Sequence, residues 1–336
     1  MHITALVESA EHVCCRYRLT AFRPFLERAG HTLELRSWPR AWWDRLTLGR
    51  KGGLGDAVII QRKLLPYWQL YLLRRAARWL LFDFDDAVFL RDSYAAKGSF
   101  SGQRQHRFAA TVRAADVIVA GNDFLAEHAT RSTTARRVRV VPTCVEPERY
   151  PPAEHHRQTD VQLVWVGSSS TLRGLEAVQP LLESIGQRCP SVRLKLVCDR
   201  FLQLERLLVL ACPWSEATEA AEIAAADIGI SWVPDDGWSR GKCGLKVLQY
   251  MAAGLPVVAN PVGVQADMVR HGETGFLAET AHQWAEAIAL LASQPELRRS
   301  MGAAGRQRVE RDFSVAHGAG RWLALLDDLQ QRRMAA

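Results

Sequence analysis

Residues 241–261 read GKCGLKVLQYMAAGLPVVANP. A glycine-and-lysine turn leads into a compact apolar helix, and a further glycine, Gly254, leads into a buried Pro-Val-Val strand. Lys242, Lys246 and Gln249 are spaced i, i+4, i+7 and so share one helix face, while Leu245, Leu248 and Ala252 lie on another and pack inward. Gly241 and Gly244 stand at the helix start, where backbone N–H groups lack partners and the dipole is positive. Bare N–H groups, lysines and no side-chain bulk describe an anion cradle that suits a diphosphate. The bland alternative is a lysine stripe on an ordinary surface helix. The order Gly-Lys-Cys-Gly is not a Walker A loop, and no G-x-G-x-x-G follows any strand. Neither triphosphate chemistry nor nicotinamide binding is indicated.

Outward from this stretch, strand-length apolar runs alternate with helical-period segments along all 336 residues, the pattern of parallel α/β construction. In the first half the strands are expected at His2–Val7, Thr32–Leu35, Ala57–Gln61, Trp79–Phe84, Val117–Ala120 and Val138–Val141. Helices are expected at Leu19–Ala29 and Asn122–Thr130. The polar, proline-containing EPERYPPAEHHRQTD (146–160) reads as a linker. Beyond it the expected strands are Val161–Val166, Arg193–Cys198, Ile228–Val233, Pro256–Ala259 and Phe276–Ala278. Helices are expected at Leu172–Gln187, Glu216–Ala225 and Gln265–Arg270. The chain is long enough for two domains of about 150 residues. The expected fold class is therefore α/β: two Rossmann-like, doubly wound domains facing across a cleft. They span 1–155 and 156–336, with the final helix free to pack back on the first. Ligands of such sheets bind at the carboxyl ends of strands.

The composition, 48% apolar and 24% charged, is that of an ordinary globular protein. Seven scattered cysteines without C-x-x-C spacing suggest neither a zinc site nor a disulfide framework. There is no secretory signal or membrane-length apolar run, so the expected setting is cytoplasmic. The net charge of +7 is uneven: residues 1–150 carry 24 Lys/Arg against 15 Asp/Glu, and residues 151–336 carry 19 against 21. A basic first half suggests an anionic partner, and without interleaved aromatics of a nucleic-acid module, nucleic acid is not expected.

The block from Gly241 to Ala278, GKCGLKVLQYMAAGLPVVANPVGVQADMVRHGETGFLA, resembles the donor-binding region of family-4 glycosyltransferases, retaining enzymes of the GT-B two-domain fold. VRVVPTCVEPERYPP, LVWVGSSST and LASQPELRRSMGAAGRQRVERDFS resemble further segments of that family in the same order. The resemblance covers roughly 160–315 strongly and the first half in architecture only. It implies that the second domain holds a nucleotide-diphosphate sugar through Ser168, Ser169, Thr171, Arg173, Lys242, Cys243, Gly244, Lys246 and Gln249. It also implies transfer without a metal or other cofactor, to a glycan or lipid-linked acceptor. Base recognition is expected around Val197–Arg200 and Cys212–Glu216, where Trp214 offers a ring. The family commonly carries two glutamates at the positions held here by Gly241 and Gln249. Gln249 can still hydrogen-bond a ribose diol. Gly241 cannot replace a carboxylate, so either Lys242 or the nearby Asp235 or Asp236 compensates, or the sugar is held differently. A non-catalytic binding subunit and a nucleotide-sugar epimerase are the competing readings.

In the first half, RWLLFDFDDAVFL (78–90) ends an apolar strand in Asp83, Asp85 and Asp86. Asp85 and Asp86 are the candidate catalytic carboxylates, able to orient or deprotonate an acceptor hydroxyl. Pairing of these aspartates with an arginine such as Arg91 is the structural alternative. Arg16 and Arg18, after the first strand, are candidates for an acceptor phosphate. KLLPYWQLYLLRRAARWLL (63–81) mixes aromatics and arginines and could rest on an anionic membrane surface, or simply pack on its sheet. No histidine spacing suggests a metal site.

Overall fold

The computed structural model describes residues 1–39, 53–156 and 160–334. The chain forms two compact units. The first takes Met1–Cys144, Asp236–Cys243 and the chain from Val315; the second takes Val145–Asp235 and Gly244–Ser314. The division thus departs from 1–155 and 156–336 in two places. One is the stretch expected to be a linker, which is strapped to the second unit. There the Ala153 N–H donates to the Ala253 carbonyl at 2.8 Å, and His155 Nε2 lies 2.9 Å from the Gly254 carbonyl. The Arg306 guanidinium donates to the carbonyls of Tyr150 and Pro147 at 2.9 and 3.2 Å. Polar composition signals solvent, but a proline-rich segment offers carbonyls that a neighbouring arginine can bind. The other departure is Asp236–Cys243, which joins the first unit.

The first unit is built on six parallel strands, β1 (His2–Val7), β2 (Thr32–Ser37), β3 (Ala57–Gln61), β4 (Trp79–Phe84), β5 (Val117–Ala120) and β6 (Val138–Val140). Their order is β2-β1-β3-β4-β5-β6. Side chains alternate between two cores, as the strand period requires. Val58, Ile60, Phe82 and Phe84 pack with Leu70, Leu73 and Phe108 from helices on one face. Ile3, Ala5, Val7 and Ile59 pack on the other face with Phe22, Leu26 and the Trp322–Leu329 part of the last helix. Both faces being covered explains why these strands read as unbroken apolar runs.

The second unit repeats the construction with β7 (Val161–Val166), β8 (Val192–Cys198), β9 (Leu208–Pro213), β10 (Ile228–Ser231), β11 (Val257–Ala259) and β12 (Gly275–Leu277). Their order is β12-β11-β10-β7-β8-β9, again parallel. The edge strand β9 was not expected from the sequence. The single helix expected over Leu172–Gln187 is two, Ser169–Ala177 and Gln179–Arg188. The break falls at Val178 because Pro180 fits the first turn of a helix and not its interior. In each unit the strand order reverses once, between β1 and β3 and between β7 and β10. These are the points where an open parallel sheet receives a ligand. Among the described residues no helix is long and apolar enough to cross a membrane.

Candidate functional site

In the second unit, β7 delivers the chain into Gly167 and the turn Ser168–Thr171, which opens the helix Ser169–Ala177. The Ser168 N–H donates to Thr171 Oγ1 at 3.2 Å, and the Ser169 N–H donates to Asp199 Oδ1 at 2.6 Å. Hydrogen bonding from Ser169, through its hydroxyl first and its N–H second, holds the Asp199 carboxyl below its ordinary range. Two N–H groups of the turn are therefore spent inside the protein. What the turn presents is the pair of hydroxyls on Ser168 and Ser170, 2.9 Å apart, and the exposed guanidinium of Arg173 one turn on. Asp199 follows β8 and lies within the Val197–Arg200 turn expected at the base. Trp214 follows β9: its backbone N–H donates to the Cys198 carbonyl at 3.2 Å, while its half-exposed ring donates through Nε1 to Glu219 at 2.8 Å. Parallel strands β7, β8 and β9 thus bring the three turns side by side.

The helix of the opening stretch runs over Leu245–Ala252, with Gly244 as its N-cap at φ +66°. A side chain there would meet the Met268 sulfur at 2.5 Å, so both conformation and space demand glycine. This left-handed residue separates Lys242 from the helix, and Lys242 does not share the helix face of Lys246 and Gln249. Lys246 Nζ lies 5.0 Å from the centre of the Trp165 ring, a cation–π contact at the end of β7. Gln249 is buried at 2% exposure, and its Nε2 donates to the Tyr150 hydroxyl at 3.2 Å. The strap expected to be a linker therefore furnishes a partner to this amide.

The residues Asp236–Cys243 serve the first unit. Asp236 caps the short helix Gly237–Arg240, its Oδ1 accepting from the Ser239 N–H at 2.8 Å, so this carboxylate is committed to backbone. Gly241 closes that helix with no room for a side chain: a Cβ would stand 2.7 Å from the Ala87 Cβ. Asn122 Nδ2 donates to the carbonyls of Lys242 and Arg240 at 3.0 and 3.3 Å. The buried Cys243 thiol donates to the Asp85 carbonyl at 3.2 Å, and burial pushes it well above the ordinary thiol range. Lys242 and Cys243 thus belong to the first unit, whereas the residues with which the sequence grouped them belong to the second.

The three aspartates after β4 divide. Asp83 and Arg18 form a closed ion pair, Nη2 to Oδ1 at 2.5 Å, with both side chains at 0% exposure. Arg18 also donates to the Val141 carbonyl. It is a structural residue, unavailable to an acceptor phosphate. Arg16 stays half-buried, its guanidinium 5.3 Å from the Tyr17 ring centre. Asp85 and Asp86 pair with Arg62, which sequence reading missed: Nε is 3.4 Å from Asp85 Oδ1, and Nη2 bonds Asp86. Arg62 also donates to the Cys14 sulfur. The arginine earlier considered for these aspartates, Arg91, instead donates to the carbonyls of Lys97 and Gly98. Arg62 has φ +57°, the only non-glycine residue with positive φ among those described. Its N–H donates to the Asp83 carbonyl at 2.8 Å, which holds it there. Strain of this kind concentrates at functional sites. Arg62 and Cys14 lie beyond β3 and β1, at the point where the first sheet reverses. Burial raises Asp86 while Arg62 and Lys242 oppose it. Among the described residues no group of three or more His, Cys, Asp or Glu could hold a metal ion.

Two Rossmann-like units of parallel strands make this the GT-B fold, and the chain resembles GT-B glycosyltransferases. Residues 238–308 match the family described as glycosyl transferases group 1. Trehalose synthase of Pyrococcus horikoshii is 35% identical over 86 residues, 26% of this chain and 21% of that protein. D-Inositol 3-phosphate glycosyltransferase of Pseudarthrobacter chlorophenolicus is 30% identical over 165 residues, 44% of this chain and 38% of that one. The chain thus spans about a fifth to two-fifths of the length of these curated relatives. In fold it is similar throughout to sucrose-phosphate synthase from Thermosynechococcus elongatus, with TM-score 0.73, 17% identity and 100% of each chain covered. Anabaena HepE, solved in complex with UDP and glucose, gives 0.70 at 17% identity, covering 98% of this chain and 100% of that one.

Proposed function

We propose that this protein transfers a sugar from a nucleotide-diphosphate sugar to a glycan or lipid-linked acceptor, with retention at the anomeric carbon and without a metal. The observation that carries the reading is the helix mouth at Gly244. It falls in the stretch that matches the glycosyl transferases and begins a helix that places Lys246 over Trp165 at the end of β7. When the sugar–phosphate bond breaks, negative charge grows on the departing diphosphate. Arg173, Lys246, the Ser168 and Ser170 hydroxyls and the first-turn N–H groups of Leu245–Ala252 are fixed donors that offset it. Gln249 offers the ribose an amide in place of a carboxylate. The Trp214 ring is the surface for the base.

In the first unit, Asp85 and Asp86 receive the acceptor hydroxyl. Arg62 pairs with both and opposes the burial that raises Asp86, and the two carboxyl groups orient the hydroxyl through the lone pairs Arg62 leaves open. The free, mostly buried thiols suit a reducing, cytoplasmic setting.

The test is calorimetric titration, without metal, of the full chain and of Lys246→Ala with UDP, GDP, ADP, dTDP and CMP. One nucleotide should bind the wild type, and Lys246→Ala should weaken it at least tenfold, about 1.4 kcal/mol. Transfer assays with the matching sugar donors follow, and product NMR reads the anomeric configuration; inversion would refute retention. A second reading, a nucleotide-binding subunit without turnover, is favoured by one observation. Gly241 stands where the family commonly has a carboxylate, and it is packed too closely to carry any side chain. Binding without transfer for every donor and acceptor pair would select it.

A further inference from the structure

The helix Tyr67–Ala76 connects β3 to β4 and packs Leu70 and Leu73 into the first unit's core. Its opposite face is also apolar. Tyr67, Trp68, Tyr71 and Leu72 are 60, 44, 59 and 37% exposed, with Arg75 next along the same face. Phe100, 69% exposed, stands just before the neighbouring helix Gly102–Ala114. These are five of the ten large apolar side chains left exposed among the described residues, so the exposure is concentrated and not scattered. Between the two helices lies an open groove of about 720 Å³, lined by Pro66, Tyr67, Trp68, Gln103, His106 and Arg107. Neither helix carries an aspartate or glutamate, whereas together they carry Arg75, Arg104, Arg107 and Arg113, besides Arg74, which pairs at 2.5 Å with Asp116 just beyond the second helix. Arg75 reaches back to its own aromatic neighbour, Nη1 donating to the Tyr71 hydroxyl at 3.0 Å.

We propose that this two-helix aromatic face docks on an anionic lipid bilayer. A contiguous exposed apolar patch marks an interaction surface. Its chemistry selects the partner: tyrosine and tryptophan are the side chains that settle at the headgroup level, with an apolar body and a polar tip. Arginines without neighbouring acids on the same helices complement anionic headgroups, and their long stems let the charge reach outward from an apolar face. Surface binding by a preformed helical face needs no membrane-crossing segment.

The test is vesicle flotation of the full chain, read as bound fraction and so separate from any transfer activity. The vesicles are phosphatidylcholine alone and phosphatidylcholine with about 30% phosphatidylglycerol. The wild type should float with the anionic vesicles and not with the neutral ones, and about 0.5 M NaCl should reduce binding several-fold. Trp68→Ser with Tyr71→Ser should lower the bound fraction at least tenfold. Arg75→Gln with Arg107→Gln should do so several-fold while leaving the aromatics in place. Circular dichroism and thermal melting check that both variants are folded. Absence of flotation with the anionic vesicles, equal binding to neutral ones, or unchanged flotation of both folded variants would overturn the proposal. So would a dimer by light scattering that Trp68→Ser with Tyr71→Ser turns into a monomer, together with no flotation, since the face would then belong to a second copy.

Discussion

The two units have the same architecture but use their charges differently. At the carboxyl ends of the first sheet, the charged groups described above answer one another: Arg18 with Asp83, and Arg62 with Asp85 and Asp86. At the corresponding ends of the second sheet, Arg173 is exposed and Lys246 lies over an aromatic ring. A charge closed on its partner fixes shape, whereas an exposed one such as Arg173 stays open to solvent. The same residue types after similar strands therefore do different work, and the difference is set by what folds back against them. In the first unit it is β3's exit through Arg62 and the buried Arg18. In the second it is a serine turn whose own N–H groups are already satisfied by Thr171 and Asp199.

The contrast breaks most visibly at Arg18. Replacing it with methionine leaves Asp83 buried without its partner, and removal of one member of a buried pair costs about 3–5 kcal/mol. Chemical denaturation should show that loss, and Arg18→Met with Asp83→Leu should recover most of it because no isolated charge remains. An Arg18→Met protein of unchanged stability, with weakened acceptor use instead, would restore this arginine to the substrate.

A pH titration sharpens the same point away from the ion pairs. His128 stacks on Phe89 at 3.5 Å between ring centres and 3° between planes, and burial lowers it to about 4. The unfolded chain takes up that proton near pH 6.5, the folded one only near 4. Between those values the unfolded state binds more protons, so the contribution is complete above pH 6.5 and is lost as pH falls toward 4. Allowing for partial exposure it amounts to about 2 kcal/mol. Denaturation midpoints should fall over this window, and His128→Gln should flatten the slope. The remaining slope belongs in part to His31 and His155, which burial also lowers.

Much of this molecule was legible as strands, because a parallel sheet covered on both faces writes itself as apolar runs. His2–Val7, Ala57–Gln61, Trp79–Phe84, Val117–Ala120 and Val161–Val166 have the bounds their hydropathy predicts. Strand β9, LVLACP, carries the same apolar signature and was missed all the same; in the fold it is an edge strand with half-exposed side chains. The site was less legible for a different reason. Periodicity places Lys242 on the face of Lys246 only if the helix continues through Gly244, and a left-handed glycine is invisible to a periodicity argument. Arg18 and Arg62 are chemically identical to a surface arginine in sequence. Burial against Asp83 and the strained φ of Arg62 are properties of the folded chain.

The smallest expected effect is at Trp214, and it tests whether the second unit's outward chemistry extends to the base. The ring is 42% exposed, yet it is not loose: Nε1 donates to Glu219 at 2.8 Å, and the backbone N–H holds to the end of β8. A ring oriented in this way can receive a flat base without first losing rotamer freedom, which is why an exposed tryptophan here is worth testing. Stacking of a base on an aromatic side chain contributes about 1–3 kcal/mol, and the low end applies to a half-solvated ring. Trp214→Ala should therefore weaken nucleotide binding roughly fivefold in the same calorimetric titration, with little change in stability, since few core atoms are lost. Trp214→Phe keeps the stacking face but not the hydrogen bond. Affinity retained in Trp214→Phe and lost in Trp214→Ala assigns the effect to the ring face. Equal loss in both assigns it to the Glu219 tether, and an unchanged affinity in both places the base elsewhere on the second unit.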